Sequence, residues 1–186
     1  MTKVIPLGVA LATLVALYVL LRAAARAYLR FRGTRVVTCP ETKTSVALEL
    51  DAARAALTAG LHAPELRVAS CSHWPERQDC GQRCLAEIRS APDECLARAM
   101  LANWYRGKSC VTCGRALGEI DWMERKPALM SPERRTVEWH EVPAQTLPQV
   151  LSTHLPVCWS CHIAESFRRE HPELVVERPR PPLHVA

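Results

Sequence analysis

The sequence predicts an α+β protein in which a single N-terminal transmembrane helix precedes a small, cysteine-rich domain of two modules held together by bound metal. Three observations predict this class. An uncharged apolar run opens the chain, strand-like and helix-like patterns alternate after it, and nine of the 186 residues are cysteine. The expected segments are a transmembrane anchor (1–22), a basic juxtamembrane segment (23–35), a first cysteine-containing α+β module (36–107), a second cysteine-containing module (108–177) and a proline-rich tail (178–186).

The first element is the apolar run from Val4 to Leu21, which carries no charged residue. At 1.5 Å per residue, a helix over this run is about 27 Å long, close to the thickness of the hydrocarbon core of a bilayer. A cleaved secretory signal is the alternative, with Ala23-Ala24-Ala25 as its cleavage site. We favour the anchor because the run is longer than the apolar core of a usual signal, and because the basic residues follow it.

Positive charge is concentrated beside this run. Residues 1–35 hold six of the chain's 24 basic residues and none of its 19 acidic residues, so the rest of the chain is nearly neutral and we expect no nucleic-acid partner. The basic residues favour a cytoplasmic location for everything that follows, with a periplasmic location as the alternative. They also suit the anionic headgroups of membrane lipids. They are Arg22, Arg26, Arg30, Arg32 and Arg35.

The first module combines strand and helix patterns. A turn-prone segment lies between a valine-containing stretch and a stretch that alternates in polarity, which predicts a hairpin, and polar residues that can cap a helix precede the helical stretches. The predicted elements are a hairpin over 36–50, a helix capped by Asp51 and ended by Gly60, a strand at 66–68, a helix over about 79–88, and a helix that opens at a Ser90–Asp93 capping box and runs to Tyr105.

The second module is predicted to alternate strands and helices in the same way, and Trp122 and Trp139 are expected to pair across two strands. Its predicted elements are strands at 120–122 and 137–139 around a turn at 132–135, a helix over 146–154 with a Thr146/Gln149 capping box, and a helix over 160–170 ended by Pro172. The tail after residue 177 is too rich in proline to fold.

Two cysteine pairs carry the chemistry. Cys110 and Cys113 form one Cys-X-X-Cys motif, Cys158 and Cys161 form another, and 44 residues separate them. This spacing lets both thiolates of a pair bind one metal ion, so two pairs supply the four ligands of a tetrahedral zinc site. Gly114 follows the first pair directly and lets the backbone turn tightly, so that amide groups point at the sulfurs.

The segment 108–172 resembles the zinc-ribbon and treble-clef class of zinc modules. The resemblance rests on the glycine-backed pair at Cys110, on the strand-like stretch after it, and on the placement of Cys158 and Cys161 where a helix opens. It implies a zinc knuckle, a hairpin and a helix that carries the last two ligands. The 44-residue gap is longer than the compact pattern of that class and includes an extra helix.

The second pair runs into His162, and Cys158, Cys161 and His162 together also match the attachment signature of a c-type haem. Zinc is favoured over haem because it uses all four cysteines and because haem attachment takes place outside the cytoplasm. A redox dithiol and plain buried thiols are the remaining alternatives.

A second group of cysteines lies upstream. Cys80 and Cys84 are four residues apart and are predicted to share one face of a helix, while Cys71 precedes that helix and Cys39 ends a strand. We expect either a second four-thiolate site, for zinc or an iron–sulfur cluster, or buried structural cysteines. Cys95 is left over and is expected in the core of its own helix.

No hydrolase or transferase signature is present: the sequence has no phosphate-binding glycine loop, no G-x-S-x-G and no H-E-x-x-H. The expected function is therefore that of a non-enzymatic, membrane-anchored zinc protein, an interaction, assembly or regulatory factor with a protein partner that the sequence does not identify. The alternative is a membrane-anchored electron carrier with haem or an iron–sulfur cluster.

Overall fold

The computed structural model describes residues 4–60, 62–124 and 126–175. The predicted proline-rich tail (178–186) lies outside the described residues. The chain divides into two compact units, one up to Cys95 and one from Leu96 onward. This division falls at the start of a helix, whereas the predicted modules divide the chain after that helix, at residue 107.

The two units are built from short strands and helices. In chain order these are α1 (Val4–Phe31), β1 (Arg35–Thr38), β2 (Ser45–Leu50), α2 (Ala52–Thr58), β3 (Val68–Cys71), α3 (Leu85–Ser90), α4 (Ala97–Tyr105), β4 (Ala128–Met130), β5 (Thr136–Glu138), α5 (Leu147–Thr153), β6 (Leu155–Val157) and α6 (Trp159–Glu170).

The first unit contains an antiparallel sheet in the order β1-β2-β3. The predicted hairpin over 36–50 is confirmed, with Val37 opposite Val46 in β1 and β2. The residues of β2 alternate as the sequence predicts, since Val46, Leu48 and Leu50 are buried and Glu49 is exposed. The predicted cap of α2 is also confirmed, because the Asp51 carboxylate accepts a hydrogen bond of 2.9 Å from the Arg54 amide.

Helix α1 is longer than the predicted apolar span and continues past Leu21 to Phe31. From Gly8 to Phe31 it is long and apolar enough to cross a membrane, and none of its most apolar stretch is buried. Its C-terminal part belongs to the first unit, because Ala27 and Phe31 lie in the hydrophobic core with the sheet and α2. The predicted juxtamembrane segment is therefore mostly helical and packed, rather than a separate linker.

Arg35 differs from the other arginines that follow the apolar run, because its side chain is fully buried. Its guanidinium turns back to the end of α1 and donates hydrogen bonds to the carbonyls of Phe31 (2.8 Å) and Gly33 (3.2 Å), and also to that of Arg30. Arg35 is thus unavailable to lipid headgroups. Lipid contact stays a prediction for the exposed arginines, which are Arg22, Arg26, Arg30 and Arg32.

Two predicted helix starts in the first unit are wrong. No helix begins at Asp79: residues 72–84 form turns and irregular backbone, and α3 starts only at Leu85. The predicted capping box at Ser90–Asp93 is absent, because the Ser90 hydroxyl donates to the Glu87 carbonyl and α4 starts at Ala97. Cys95 consequently lies in a turn before α4, buried in the core of the first unit rather than within a helix.

The second unit contains an antiparallel sheet in the order β5-β4-β6. Its central strand, β4, is not among the predicted elements, and the predicted strand at 120–122 is turn and irregular backbone instead. Trp122 and Trp139 do meet, edge to face with ring centroids 5.5 Å apart, although neither residue lies in a strand. The predicted contact between the two tryptophans is confirmed, but the prediction that it joins two strands is wrong.

Helices α5 and α6 lie where the sequence predicts them, and α6 ends before Pro172. The predicted Thr146/Gln149 capping box is wrong, because the Thr146 hydroxyl donates to the carbonyl of Pro143. Strand β6 joins the two helices and pairs with β4, with Val157 opposite Ala128. This strand delivers the chain to Cys158.

Candidate metal centre

The first cysteine pair lies in a tight turn over residues 110–115, which we call the knuckle. The amide of Cys110 donates to the carbonyl of Arg115 and the carbonyl of Cys110 accepts from the amide of Gly114, both at 2.8 Å. Gly114 has φ +70°, a left-handed conformation that costs a residue with a Cβ about 1–2 kcal/mol and glycine almost nothing. The turn brings Cys113 back beside Cys110.

The second pair opens helix α6. Cys158 is the residue before the helix and has an extended backbone, and Cys161 lies in the first turn. The amide of Val111 donates to the carbonyl of Pro156 at 2.9 Å, so the knuckle is bonded directly to β6, the strand that ends at the second pair. Backbone hydrogen bonds therefore fix the two pairs relative to each other.

The four sulfurs lie together, as the sequence predicts. All of them are within 4.8 Å of one another, and the sulfurs of Cys113 and Cys158 are 3.8 Å apart. In a tetrahedral zinc site with Zn–S bonds of about 2.3 Å, neighbouring sulfurs are separated by about 3.8 Å. The spacing thus fits a metal ion bound by four thiolates, either zinc or the iron of an iron–sulfur cluster. All nine cysteines of the chain are free.

A small hydrophobic core packs against the inner side of this cysteine group. Cys110 and Val111 are fully buried against Ala128, Met130 and Val157 of the sheet. Tyr105 adds a buried hydrogen bond from its hydroxyl to the carbonyl of Ala128. The other three cysteines are half-buried or exposed, so the group lies at the edge of the core and not inside it.

The surroundings of the sulfurs lower the pKa of one cysteine and raise the pKa of two others. Burial opposes ionisation of Cys110, but backbone amides of Cys158, Cys113 and Thr112 donate to its sulfur and lower its pKa to about 7. Burial raises the pKa of Cys158 and that of Cys161, and Cys110 raises both further. Four thiolates without a cation would repel one another, so this arrangement favours a bound positive ion.

A carboxylate beside the site, that of Glu138 in β5, is not among the predicted residues. His162 follows Cys161, is buried, and places Nε2 3.7 Å from a carboxylate oxygen of Glu138 in β5. The same carboxylate lies 2.9 Å from Nδ1 of His140 and 3.6 Å from the ammonium of Lys126. These contacts depend on the register of β5 against β4, which no local sequence pattern reports. The haem alternative at Cys158, Cys161 and His162 is untested by this geometry and stays a prediction.

The four upstream cysteines lie around one side of the first unit, but more widely spaced. Burial, together with the charges of Cys80, Cys71 and Cys39, raises the pKa of Cys84 to about 11, which places these three cysteines near its sulfur. Among the described residues, only the four downstream cysteines form a group whose sulfurs all lie within 4.8 Å of one another. Cys80 and Cys84 do not share a helix face, because Cys80 lies in irregular backbone and Cys84 just precedes α3.

Comparison of this chain with protein-family models, with curated proteins and with solved structures finds no match. The chemistry of the site therefore has to be argued from its own residues.

Proposed function

We propose that Cys110, Cys113, Cys158 and Cys161 bind one zinc ion, and that this ion stabilises the second unit of a membrane-anchored, non-enzymatic protein. The observation that carries the proposal is the grouping of four free cysteine sulfurs within 4.8 Å, with one pair at the separation that tetrahedral zinc requires. Such a protein would serve as an interaction, assembly or regulatory factor.

A structural role follows from the ligand set. Four thiolates fill the coordination sphere of zinc, which leaves no open position for a water molecule or a substrate and hence no Lewis-acid catalysis. The second unit offers little else to hold it together, because its sheet consists of three strands of three residues each. The free energy of metal binding then adds directly to the free energy of folding.

A treble-clef-like arrangement is the subtype that we propose. The knuckle at residues 110–115, the hairpin of β4 and β5, and the pair at the start of α6 follow one another in the order of that class. The start of a 12-residue helix also offers unpaired amides and a dipole that stabilise negative charge, which opposes the rise that burial causes in the pKa of Cys158 and Cys161. Helix α5, between the hairpin and the second pair, is an addition to the compact pattern.

Anchoring in a membrane is supported by α1. A core helix of a soluble protein is mostly buried, whereas none of the most apolar stretch of α1 is. A cleaved signal passes the same test of length and composition, but Leu20, on the N-terminal side of the alanines proposed for cleavage, reaches Gly60 of the first unit. A Cβ atom added at Gly60 would lie 2.9 Å from a methyl carbon of Leu20, so the two residues are in close contact.

The test is metal removal from the full-length protein in detergent. The zinc bound per chain should be displaced by a strong chelator, and the second unit should then lose its cooperative thermal transition and its protection from proteolysis. Cys113→Ser should behave like the chelated protein, and Cys95→Ala is the matched control because Cys95 lies outside both cysteine groups. A metal-free protein that keeps the transition and the protection of residues 108–172 contradicts the proposal. A Soret band would instead establish the haem alternative.

A further inference from the structure

The turn after β1 repeats the backbone geometry of the knuckle. In the knuckle, the amide of Cys110 donates to the carbonyl five residues on, and its own carbonyl accepts from the amide four residues on. In the first unit, Cys39 makes the same two bonds, with the carbonyl of Thr44 and the amide of Lys43, both at 2.8 Å. The fourth residue after the cysteine is left-handed in each turn, with φ +70° at Gly114 and +58° at Lys43.

The two turns also hold the cysteine sulfur in the same way. The Cys110 sulfur accepts from the amides two and three residues later, those of Thr112 and Cys113. The Thr42 hydroxyl and the amides of Thr42 and Glu41, which are again three and two residues later, lie beside the Cys39 sulfur. Thr42 therefore stands where the knuckle has its second cysteine. A turn of this kind presents its sulfur as a metal ligand whose charge is stabilised by amides.

Two upstream cysteines lie on the face of the sheet that carries the core, and a third packs against the same core. Val37 lies opposite Val46, so Cys39, two residues after Val37, continues on the same inward face. Cys71 lies opposite Leu48, which is also an inward residue of β2. Cys39, Cys71 and Cys84 all pack against the same core cluster. They are half-buried at its rim, as are the ligands Cys158 and Cys161, whereas Cys95 is a buried core cysteine.

Three polar contacts tie the loop that carries Cys80 and Cys84, and the helix α3 that follows it, to the first unit's strands and to the Cys39 turn. The Glu87 carboxylate accepts from the amide of Thr38, the residue before Cys39, at 3.3 Å. The Gln82 side chain accepts from the amide of Val68 in β3 at 3.1 Å. Arg77 lies 3.8 Å from Glu41 in the Cys39 turn. The loop is thus connected to the Cys39 turn and to strand β3, which ends at Cys71.

We propose that Cys39, Cys71, Cys80 and Cys84 form a second zinc site, in which the Cys39 turn acts as a knuckle with one ligand and the other three ligands come from β3 and from the loop before α3. Zinc would draw together sulfurs that are more widely spaced than those of the downstream site. Within the group, Cys80 lies in irregular backbone next to Gly81.

A bound ion would also account for the order of the loop. Residues 72–84 run without helix or strand, and irregular segments of this length are uncommon in small domains unless something fixes them. Metal binding is one of the few devices that stabilise small modules with limited cores. The two sites are independent, because each draws its ligands from a different unit.

The experiment counts bound metal in the full-length protein, purified in detergent under reducing conditions. We expect about two zinc ions per chain in the wild type and about one in Cys84→Ser. Cys113→Ser should also keep about one ion, and Cys95→Ala should keep both. Titration of the metal-free protein with cobalt gives a second count, because the absorption of the tetrahedral thiolate sites should stop rising at about two equivalents.

A rescue variant tests the geometry of the turn separately from any loss of folding. Cys80→Ser should lose about one ion, and Thr42→Cys added to it should restore that ion, because residue 42 occupies the position of Cys113 in the knuckle. A metal count in Cys84→Ser equal to that of the wild type overturns the proposal, and so does a failed rescue. The zinc proposal for Cys110, Cys113, Cys158 and Cys161 fails on a different result, namely an unchanged metal count in Cys113→Ser.

Discussion

Arg35 is the residue that joins the long helix α1 to the first sheet. The last carbonyls of a helix have no partners within it, and the Arg35 guanidinium supplies donors to several of them from the first position of β1. Burial lowers the pKa of this guanidinium, although the neighbouring Cys95 and Asp93 work against that effect. Arg35 therefore acts as the C-terminal cap of α1.

We expect Arg35→Leu to lower the free energy of unfolding of the first unit by about 2 kcal/mol or more, because buried carbonyls lose their donors. Arg32→Leu is the matched control: Arg32 lies three residues earlier, is exposed, and should change that free energy by no more than about 0.5 kcal/mol. Denaturant unfolding of both full-length variants in detergent measures the difference. Equal effects at the two positions would rule out the capping role.

The acidities of the downstream thiols predict how metal binding depends on pH. Zinc binds thiolates, so it must displace the proton of every thiol whose pKa lies above the working pH. At pH 8 these include Cys158 and Cys161, with raised pKa values, while Cys110, with a pKa of about 7, is mostly ionised already. At pH 6 Cys110 is protonated as well.

The number of protons released by this site on zinc binding should thus rise by about one between pH 8 and pH 6, and the affinity should fall in the same direction. Calorimetric titration in buffers of different ionisation enthalpy measures the release, and Cys84→Ser confines the signal to the downstream site. If proton release stays constant over this range, Cys110 does not carry the lowered pKa.

At the scale of elements, the two cysteine turns differ in the residue that takes the left-handed conformation. Gly114 adopts φ +70° without steric cost, whereas Lys43 adopts +58° against its Cβ. Gly114→Ala should therefore lower the free energy of unfolding of the second unit by about 1 kcal/mol. Lys43→Gly should leave that of the first unit unchanged or raise it slightly, because relief of the strain outweighs the added entropy of glycine in the unfolded chain.

Thermal denaturation of the zinc-bound variants, with each unit followed by limited proteolysis, distinguishes the two effects. The two substitutions are matched because they act at equivalent positions of the same turn geometry. One replaces a glycine with a residue that has a Cβ, and the other does the reverse. Equal losses at both positions would show that the turns are not equivalent, which would also weaken the case for a knuckle at Cys39.

Elements whose signals are local could be predicted from the sequence, and those that depend on distant contacts could not. Strand β2 alternates in polarity along its length after a turn-prone segment, and Asp51 stands at the start of an alanine-rich helix. Strand β4 shows no such pattern, because all three of its residues are buried between β5 and β6. The alternation at Ile120 and Trp122 is instead a surface feature.

The same distinction applies to the site. The four downstream cysteines could be grouped from the sequence. Each Cys-X-X-Cys pair is a local motif, and two such pairs supply the four ligands of one metal site. The contact of His162 with Glu138 could not be predicted, since it depends on how β5 pairs with β4 and where α6 then lies. The helix wrongly predicted from Asp79 fails for a local reason, because Gln82 is left-handed and Cys80 precedes the flexible Gly81.

At the scale of the whole molecule, α1 serves two environments. Its N-terminal part exposes apolar side chains such as Leu14 and Leu17, while Ala27 and Phe31 near its C-terminus lie in the core of the first unit. If the N-terminal part spans a bilayer, the first unit is held at the membrane surface by a continuous helix and not by a flexible linker. The exposed arginines, Arg22 and Arg26 among them, then lie near the lipid headgroups.

This arrangement predicts that the protein keeps α1 and stays in the membrane. Mass spectrometry of the membrane-extracted protein should give the full-length mass, and an alkaline carbonate wash should not release it. The basic residues after the span further predict that proteases added to right-side-out vesicles leave residues 32–186 intact until the membrane is permeabilised. A mature chain that starts after Ala25 would establish the cleaved signal. Digestion in sealed vesicles would place both units outside the cytoplasm, where haem attachment at Cys158 and Cys161 becomes chemically accessible.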